Sequence, residues 1–296
     1  MKLDTRQCEA VLAVIETGSF EQAASRLHLT SSAVSQRVRA LETALGSPLL
    51  VRSRPCRATQ AGQRLLQYLR RVQLLEQDFQ TELAGNQAAP LTLSVAVNAD
   101  SLASWLLPAL ADFLIREQVL LDLTVDDQNH TYALLEAGLA LGCISTEPLP
   151  MRGCVTEPLG AMRYRCMASP SYRQRWFPHG MNRNAARLAP VLTYDRKDAL
   201  QADFLLRHFG LPADAYPCHT IPSSEAYLQA VCLGLGWGMI PEVQMGQLQD
   251  SGALVDLAPE QAADVGLFWH RWKVQSPRLE LMSATLVQAA RQVLRQ

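Results

Sequence analysis

Residues 20–52 constrain the fold of this chain more than any other segment. Ala23 and Ala24 are small enough to let one helix approach another closely, and Leu27 is an apolar anchor beside them. Residues 28–30 then have the length of the short turn in a helix-turn-helix motif. The segment therefore predicts two closely packed helices that are joined by a short turn.

The second helix of this pair is predicted to run from Ser31 to Leu45, with Thr30 as its N-cap. Four apolar side chains recur along it at three- and four-residue spacings and form one buried stripe: Val34, Val38, Leu41 and Leu45. The other face carries short polar or basic side chains, which are Ser31, Ser32, Ser35, Gln36, Arg37 and Arg39. A helix that enters the major groove needs compact hydrogen-bonding groups near its N-terminus and cations further along. We therefore predict that this face binds double-stranded DNA, and a pair of polar surface helices is the alternative.

A β-wing is predicted after this helix, because the apolar residues 48–51 lead into a proline-containing turn at residues 53–57. Arg52, Arg54 and Arg57 would then reach the DNA backbone or the minor groove. A solvated turn that contacts nothing is the alternative.

Charge is distributed unevenly along the chain. Residues 1–58 hold eight Lys and Arg against five Asp and Glu, about +3, whereas residues 91–296 hold sixteen against twenty, about −4. The N-terminal part therefore suits contact with phosphates, and the acidic remainder does not.

The composition indicates a protein of a reducing compartment. Its seven cysteines are scattered and include no Cys-x-x-Cys pair, which argues against a disulfide framework or a zinc site. No stretch is as long as a membrane span, and the N-terminus lacks the layout of a secretory signal. A length of 296 residues suits two domains. We therefore expect a cytoplasmic protein without a membrane partner.

A long amphipathic helix is predicted over residues 59–84, which contain no proline. Its apolar side chains recur at three- and four-residue steps: Leu65, Leu66, Leu69, Val72, Leu75, Phe79 and Leu83. We expect this stripe to pair with its copy in a second chain, because helix-turn-helix proteins bind symmetric operators as dimers. Packing of the helix against its own domain is the alternative. Residues 85–90, GNQAAP, would form a hinge.

The remaining residues alternate between strands and helices and predict an α/β fold with parallel βαβ units. The predicted strands are residues 91–98, 119–125, 139–145, 190–195, 218–221 and 236–242. Helices are predicted from about residue 101 and over residues 131–138, 198–209 and 224–234. The two sets, joined by strands around residues 159–168 and 265–272, resemble a two-lobed domain of the periplasmic-binding-protein type with a ligand cleft between its lobes.

A family resemblance covers the whole chain. Residues 23–52, AASRLHLTSSAVSQRVRALETALGSPLLVR, closely resemble the N-terminal winged helix-turn-helix of LysR-type transcriptional regulators. The strings LSVAVNADSLASWLLPAL, SSEAYLQA and VLRQ resemble the branch of that family that regulates basic amino-acid export and metabolism, also described as inhibitors of chromosome replication initiation. The resemblance implies a homodimeric or homotetrameric regulator that binds DNA and a small effector, with RNA polymerase as a further partner.

The predicted domains follow from these patterns and the resemblance. They are a winged helix-turn-helix DNA-binding domain (1–58), a dimerising linker helix with its hinge (59–90), and a two-lobed effector-binding domain (91–296). In such a regulator, effector binding would shift the lobes and change the spacing of the DNA-binding domains.

Polar side chains follow the predicted strands and precede the predicted helices, where open α/β sheets bind their ligands. The candidate ligand residues are Asp100, Ser101, Asp126, Asp127, Ser145, Asp195, Ser223, Ser224 and Glu225. Helix capping explains the residues at 100–101 and 223–225 equally well, and adjacent acids in a turn are commonly only solvated.

Several carboxylates and two helix N-termini around one cleft suit a zwitterion with a cationic side chain. We expect the α-carboxylate near Ser101 and the cationic groups near Asp126, Asp127 and Glu225. These loops are interpreted as lacking the Arg or Lys that an anionic effector would need. The sequence therefore favours lysine or arginine as the effector, with a different small metabolite as the alternative, and it predicts no cofactor.

Enzyme motifs are missing from the sequence. There is no G-x-S-x-G, no Walker loop, no G-x-G-x-x-G after the first strand and no His/Cys cluster at metal-binding spacing. A solute-binding protein is the alternative for residues 91–296, but it would need a signal sequence and no DNA-binding domain. We therefore predict a non-enzymatic transcription factor.

Overall fold

The N-terminal residues form three helices and a two-stranded wing, called the head below. Its elements are α1 (Thr5–Thr17), α2 (Phe20–Arg26), α3 (Ser31–Leu45), β1 (Leu50–Val51) and β2 (Arg57–Ala58). Each helix begins at a side chain that accepts a backbone N–H, namely Asp4, Ser19 and Thr30. Ala23 and Val34 are fully buried where α2 meets α3. The predicted helix-turn-helix and wing are therefore confirmed in this computed structural model, which describes residues 3–84 and 90–296.

The linker helix α4 (Gln60–Ala84) divides its apolar side chains among three surroundings. Leu65 and Leu69 pack on the core of the head, and Leu74 packs on the core of the α/β region. Leu75, Phe79 and Leu83 are exposed. The first half of the stripe therefore packs within its own chain, as the alternative reading had it. The hinge predicted at residues 85–90 lies, except for its last residue, outside the described residues.

The C-terminal region contains nine strands and is built around one mixed sheet. Its elements are β3 (Leu91–Val97), α5 (Ala99–Ser101), a π-helical turn (Leu102–Leu106), α6 (Leu107–Arg116), β4 (Val119–Val125), α7 (Thr131–Glu136), β5 (Gly142–Ser145), β6 (Cys154–Ala168), α8 (Pro170–Trp176), α9 (Arg183–Leu188), β7 (Val191–Thr193), α10 (Leu200–Phe209), β8 (Cys218–Thr220), α11 (Ser224–Cys232), β9 (Gly238–Pro241), α12 (Glu242–Asp250), β10 (Val255–Asp256), β11 (Ala262–Trp272) and α13 (Pro277–Val293). The sheet has the order β10-β6-β11-β5-β3-β4, with β9 also paired to β6.

Two lobes share the long antiparallel strands β6 and β11. The first lobe contains β3, β4 and β5, which pair in parallel, together with α5–α7 and α13. The second lobe contains the parallel pair β7-β8, the strand β9 and helices α8–α12. This arrangement confirms the predicted α/β fold with two lobes.

Several predicted boundaries were wrong. The strand predicted over residues 139–145 begins at Gly142, because the chain turns through Gly138 at φ +72°. The strand predicted over residues 190–195 ends at Thr193, because the N–H of Tyr194 bonds to the side chain of Asp198 instead. The joining strands β6 and β11 begin earlier than residues 159 and 265, since residues 154–165 pair with residues 262–272.

Candidate DNA-binding face and effector site

The outward face of α3 carries the predicted DNA-contacting side chains. Ser31, Ser32, Gln36 and Arg39 are exposed, and Ser35 and Arg37 are half-buried. Val34 and Val38 point into the core of the head, as their spacing predicted. Within the described residues, neither Arg37 nor Arg39 forms a hydrogen bond or an ion pair, so both guanidinium groups are available to an outside partner.

The wing lies beside the turn between α1 and α2. The Cys56 N–H donates to the carbonyl of Gly18 at 2.7 Å, and a Cβ built at Gly18 would meet Cβ of Pro55 at 2.8 Å. The guanidinium of Arg52 lies 5.4 Å from the ring centre of Phe20, at the start of α2. Packing therefore fixes the turn of the wing, residues 52–56, against the head. Arg54 in this turn and Arg57 in β2 are exposed.

A cleft between the lobes brings together part of the predicted ligand site. Asp100, Asp126 and Asp127 follow β3 and β4 at their carboxyl ends, and Ser224 begins α11 on the opposite side. The cleft is lined chiefly by polar side chains, which are Asp100, Asp126, Asp127, Gln128, Tyr164, Tyr194, Asp198, Gln201, Ser224, Tyr227 and Gln244. Four of the nine predicted residues therefore meet at one place.

The carboxylate of Asp100 connects the two lobes. Its Oδ2 accepts the Tyr164 hydroxyl at 2.8 Å, and its Oδ1 accepts the Ser224 hydroxyl at 2.6 Å. The amide of Gln244 donates to the Ser224 oxygen at 2.9 Å and lies 3.5 Å from Asp100. Burial raises the pKa of Asp100, although these hydrogen bonds oppose the shift. Because both oxygens of Asp100 already have partners, this carboxylate holds the two sides of the cleft together and is not a free acceptor for an ammonium.

Asp126 forms an ion pair across the cleft. Its Oδ1 lies 2.5 Å from Nζ of Lys197, in the loop between β7 and α10, and accepts the Asp127 N–H at 2.8 Å. Burial acts to raise the pKa of Asp126, but the Lys197 and backbone hydrogen bonds outweigh it and hold the pKa below its usual range. The interpretation that these loops lack Arg and Lys was therefore wrong, because Arg196 and Lys197 directly follow Asp195.

Two further carboxylates line the cleft. Oδ1 of Asp127 accepts the Asn129 N–H at 2.9 Å, which leaves its other oxygen without a described partner. Asp198 accepts the backbone N–H groups of Tyr194 at 2.9 Å and Leu200 at 3.1 Å. Burial raises the pKa of Asp198. With Asp100 and Asp126, these side chains make the cleft rich in negative charge.

Three predicted ligand residues lie outside the lining of the cleft. Ser101 is fully buried, which corrects its predicted contact with an α-carboxylate. Ser145 accepts the N–H of Glu147 at 3.2 Å and closes a turn. Oδ1 of Asp195 accepts the N–H groups of Lys197 at 2.7 Å and Asp198 at 3.0 Å, so this side chain shapes its own loop.

Ser223 and Glu225 also lie outside the lining of the cleft. Ser223 caps α11 by accepting the Ala226 N–H at 3.4 Å. Its hydroxyl donates to Oε2 of Glu225 at 3.1 Å, and Glu225 is exposed. The capping alternative therefore describes both residues, and the predicted contact of Glu225 with a cationic group is corrected.

Some lining residues gave no signal in the sequence. Tyr164 lies within β6 and Gln244 within α12, and tertiary packing alone brings them to Asp100. Asp198 and Lys197 could have been found, since both stand within three residues of Asp195 in a loop that was singled out.

The cleft is closed in this structure. Its cavity measures only about 40 Å³, whereas pockets that hold drug-sized ligands measure roughly 300–1,000 Å³. An amino acid could therefore enter only if the lobes separated and some contacts across the cleft broke.

Comparison with known proteins identifies the family. The family model for bacterial regulatory helix-turn-helix proteins of the lysR family matches residues 5–63, and the model for the LysR substrate binding domain matches residues 86–291. The chain belongs to the LysR family. HTH-type transcriptional regulator ArgP of Aeromonas salmonicida is 41% identical over 293 residues, which cover 99% of this chain and 98% of the relative. ArgP of Klebsiella pneumoniae subsp. pneumoniae is 42% identical over 295 residues, with 99% and 98% covered.

Solved structures agree with this assignment. The crystal structure of ArgP from Mycobacterium tuberculosis has a TM-score of 0.85 and 40% identity, with 99% of each chain covered. Full-length LysG from Corynebacterium glutamicum with bound effector Arg has a TM-score of 0.80 and 34% identity, with 99% of this chain and 100% of that one covered. The predicted resemblance to one branch of the family, that of ArgP, is thereby confirmed, and this LysR-family chain is a DNA-binding transcriptional regulator. Within the described residues, no helix is both long and apolar enough to cross a membrane.

Proposed function

We propose that this regulator responds to arginine or lysine bound in the cleft between its lobes. The observation that carries the proposal is the convergence of Asp100, Asp126, Asp127 and Asp198 on one small cleft. Such a site favours a ligand with more positive than negative charge. The similar LysG structure with bound arginine supports the same class of effector.

The charged groups of such an effector have different partners in the cleft. The free oxygen of Asp127 and the carboxylate of Asp126 suit the cationic side chain. The Tyr194 hydroxyl and the Gln128 side-chain amide have no partner within the described residues, and both can donate a hydrogen bond to the α-carboxylate. These contacts between the effector and the cleft would replace hydrogen bonds and ion pairs that now join the two lobes across the cleft.

The head would read DNA through α3, with Ser31, Ser32, Ser35, Gln36, Arg37 and Arg39 on its outer face. Arg52 and Arg54 of the wing would contact the backbone or minor groove. The unpartnered cations on the outer face of the head support this assignment of DNA binding. The same proposal includes pairing of α4 in a homodimer or homotetramer, contact with RNA polymerase, a cytoplasmic location and domain boundaries near residues 58 and 90.

Calorimetric titration tests the effector assignment. Arginine, lysine, leucine and glutamate are titrated into the full-length protein and into Asp127→Asn, which keeps the shape of the side chain but removes its charge. A charge-assisted hydrogen bond contributes about 1.5–3 kcal/mol, so we expect arginine binding to weaken by about ten- to a hundredfold.

Glu225→Gln is the matched control, because Glu225 is an exposed acid outside the cleft. It should bind arginine as the wild type does. Failure of both basic amino acids to bind the wild-type protein would contradict the proposal. Binding of leucine with no preference for arginine would favour a neutral effector, for which Lys197 already balances Asp126.

A further inference from the structure

Lys197 contacts the half-buried carboxylate of Asp126 from the opposite lobe. Its loop follows β7 in the second lobe, whereas Asp126 follows β4 in the first, so the pair spans the cleft. Nζ lies 2.5 Å from Oδ1 of Asp126, and this is the one ion pair that Asp126 forms within residues 3–84 and 90–296. A cation of the protein itself therefore already sits at a carboxylate suited to the cation of an effector.

The loop that carries Lys197 has a defined conformation. Oδ1 of Asp195 accepts the N–H groups of Lys197 at 2.7 Å and Asp198 at 3.0 Å. Oδ2 of Asp198 accepts the N–H of Tyr194 at 2.9 Å and closes the loop on its other side. The backbone on both sides of Lys197 is therefore fixed, and its side chain starts from a constant position opposite Asp126.

The ammonium of Lys197 and the cationic side chain of a basic amino acid can both donate a charge-assisted hydrogen bond to Asp126. Lys197 and the Asp127 N–H both contact Oδ1 of Asp126. A second cation would therefore either displace Lys197 or share the single negative charge of the carboxylate with it. Displacement is feasible, because the Lys197 side chain is 46% exposed and its flexible stem can turn into solvent.

We propose that Lys197 is an internal competitor of the effector and thereby sets how strongly the cleft prefers basic over neutral amino acids. This inference rests on the proposed function, since it names a residue that tunes that same site. Effector binding breaks the Lys197–Asp126 pair and with it one of the contacts that hold the lobes closed. A neutral amino acid has no cation to offer Asp126 and leaves the pair intact.

Replacement of Lys197 tests whether this residue competes with the effector for Asp126 or is a surface lysine that does not affect binding. Lys197→Met keeps an unbranched stem but leaves Asp126 without its ion-pair partner. Because exposed ion pairs contribute at most about 1 kcal/mol, we expect arginine and lysine to bind about fivefold more tightly, while leucine binding is unchanged. Calorimetric titration of the full-length variant measures both. Lys197→Gln should act in the same direction and serves as a second variant, and thermal unfolding confirms that each is folded.

Arg196→Met is the matched control, because Arg196 is an exposed neighbouring cation without a partner in the described residues. Its affinity for arginine should equal that of the wild type. Unchanged or weaker arginine binding in both Lys197 variants would overturn the inference while leaving the proposed function intact, and weaker binding would place Lys197 on the effector carboxylate. If the wild type binds no basic amino acid but Lys197→Met does, the competitor role stands and the proposed effector response of the wild type fails. If neither binds, both ideas fail.

Discussion

At the scale of single residues, the acids of the cleft differ in what they do. Asp100 bonds to Tyr164 on β6 and to Ser224 on α11, so its carboxylate joins elements of both lobes. Burial raises the pKa of Asp100, which means that the folded protein binds its proton more tightly than the unfolded chain does. Its ionised form therefore opposes the stability of the closed cleft, even though three donors surround it.

The pH dependence of stability should show this cost. The free energy of unfolding should fall as pH rises from about 3.9, the pKa of an unfolded aspartate, to the higher pKa of folded Asp100, because the folded state binds more protons in this window. Asp100→Asn removes the titration and keeps the shape. We expect the difference in melting temperature, variant minus wild type, to increase as pH rises through this window. Above the window the difference should stay constant up to neutral pH. Calorimetric scans of the full-length protein from about pH 4 to 8 measure this.

Asp264→Asn provides a control of opposite sign. Arg163 donates to both oxygens of Asp264, at 2.6 and 2.5 Å, and holds its pKa below the usual range. Stability from this pair is present above the pKa of unfolded aspartate and is lost as pH falls through the folded pKa. The control should therefore be less stable than the wild type at neutral pH, with a deficit that shrinks only below about pH 4, so its scans extend to about pH 2. Equal trends in both variants would contradict this account of Asp100.

The sequence predicted residues of the site only where topology alone places them. Asp126 and Asp127 follow a predicted strand and Ser224 begins a predicted helix, so the rule for open α/β sheets was sufficient to find them. Tyr164 and Gln244 lie within regular elements, and only the packing of β6 and α12 brings them to the cleft. Residues that reach a site through tertiary packing leave no periodic or terminal signal.

At the scale of elements, prediction succeeded where the chain carries its own start and stop signals. α3 has the predicted bounds, because Thr30 caps its start and Gly46, at φ +66°, ends it. α4 has nearly the predicted length, but its surroundings could not be inferred. Members of the predicted stripe pack on the head at one end and are exposed at the other, while Leu74, which is outside the stripe, packs on the α/β region. An amphipathic pattern indicates that the apolar face of a helix packs against something, but it does not identify the part of the protein or the partner that covers this face.

The exposed end of α4 leads to a prediction about assembly. Leu75, Phe79 and Leu83 are 42%, 60% and 72% exposed in the single chain, so a second copy of α4 could bury them. Phe79→Asp combined with Leu75→Asp would place charges in that seam, which is costly without a partner. We expect the mass measured by analytical ultracentrifugation to fall from that of a dimer or tetramer towards that of one chain.

The matched control for this pair is Gln73→Asp, an added charge at an exposed position of the same helix, which should leave the mass unchanged. Circular dichroism should show that helix content is kept in all variants. A double variant that keeps its full mass would mean that this end of α4 does not carry the association.

At the scale of the whole molecule, Arg70 of α4 links the head to the effector-binding region. Its guanidinium donates to Glu16 of α1 at 2.9 Å and to the Ser94 hydroxyl of β3 at 3.3 Å. Ser94 in turn donates to Asp122 of β4 at 3.0 Å. Ser94 and Asp122 stand midway along β3 and β4, and the acids of the cleft follow the carboxyl ends of these two strands, so the hydrogen bonds that start at Arg70 reach the strands that lead to the cleft.

Other contacts hold α4 firmly on this region. Gly138 lies so close to α4 that a Cβ there would meet the backbone N of Gln67 at 2.8 Å, and Arg71 stacks 4.9 Å from the ring centre of Trp272. These contacts join α4 to the first lobe but do not reach the head. Arg70 bonds to both, which suits it to transmit a shift of β3 and β4 to α1.

Replacement of Arg70 should therefore reduce the response to effector more than it reduces DNA binding itself. In Arg70→Met the head and the first lobe lose their shared partner, while Arg71 and Leu74 still hold α4 in place. Residues along such a connection alter coupling by roughly 0.5–2 kcal/mol, so we expect the change in DNA affinity that arginine produces to shrink by about two- to thirtyfold. Fluorescence anisotropy with labelled operator DNA, with and without arginine, measures this change.

Arg64→Met, which removes an exposed cation of α4 without a described partner, should keep the wild-type response. An equal loss of response in both variants would point to the charge of α4, and a full response in Arg70→Met would show that the effector acts on the head by another route.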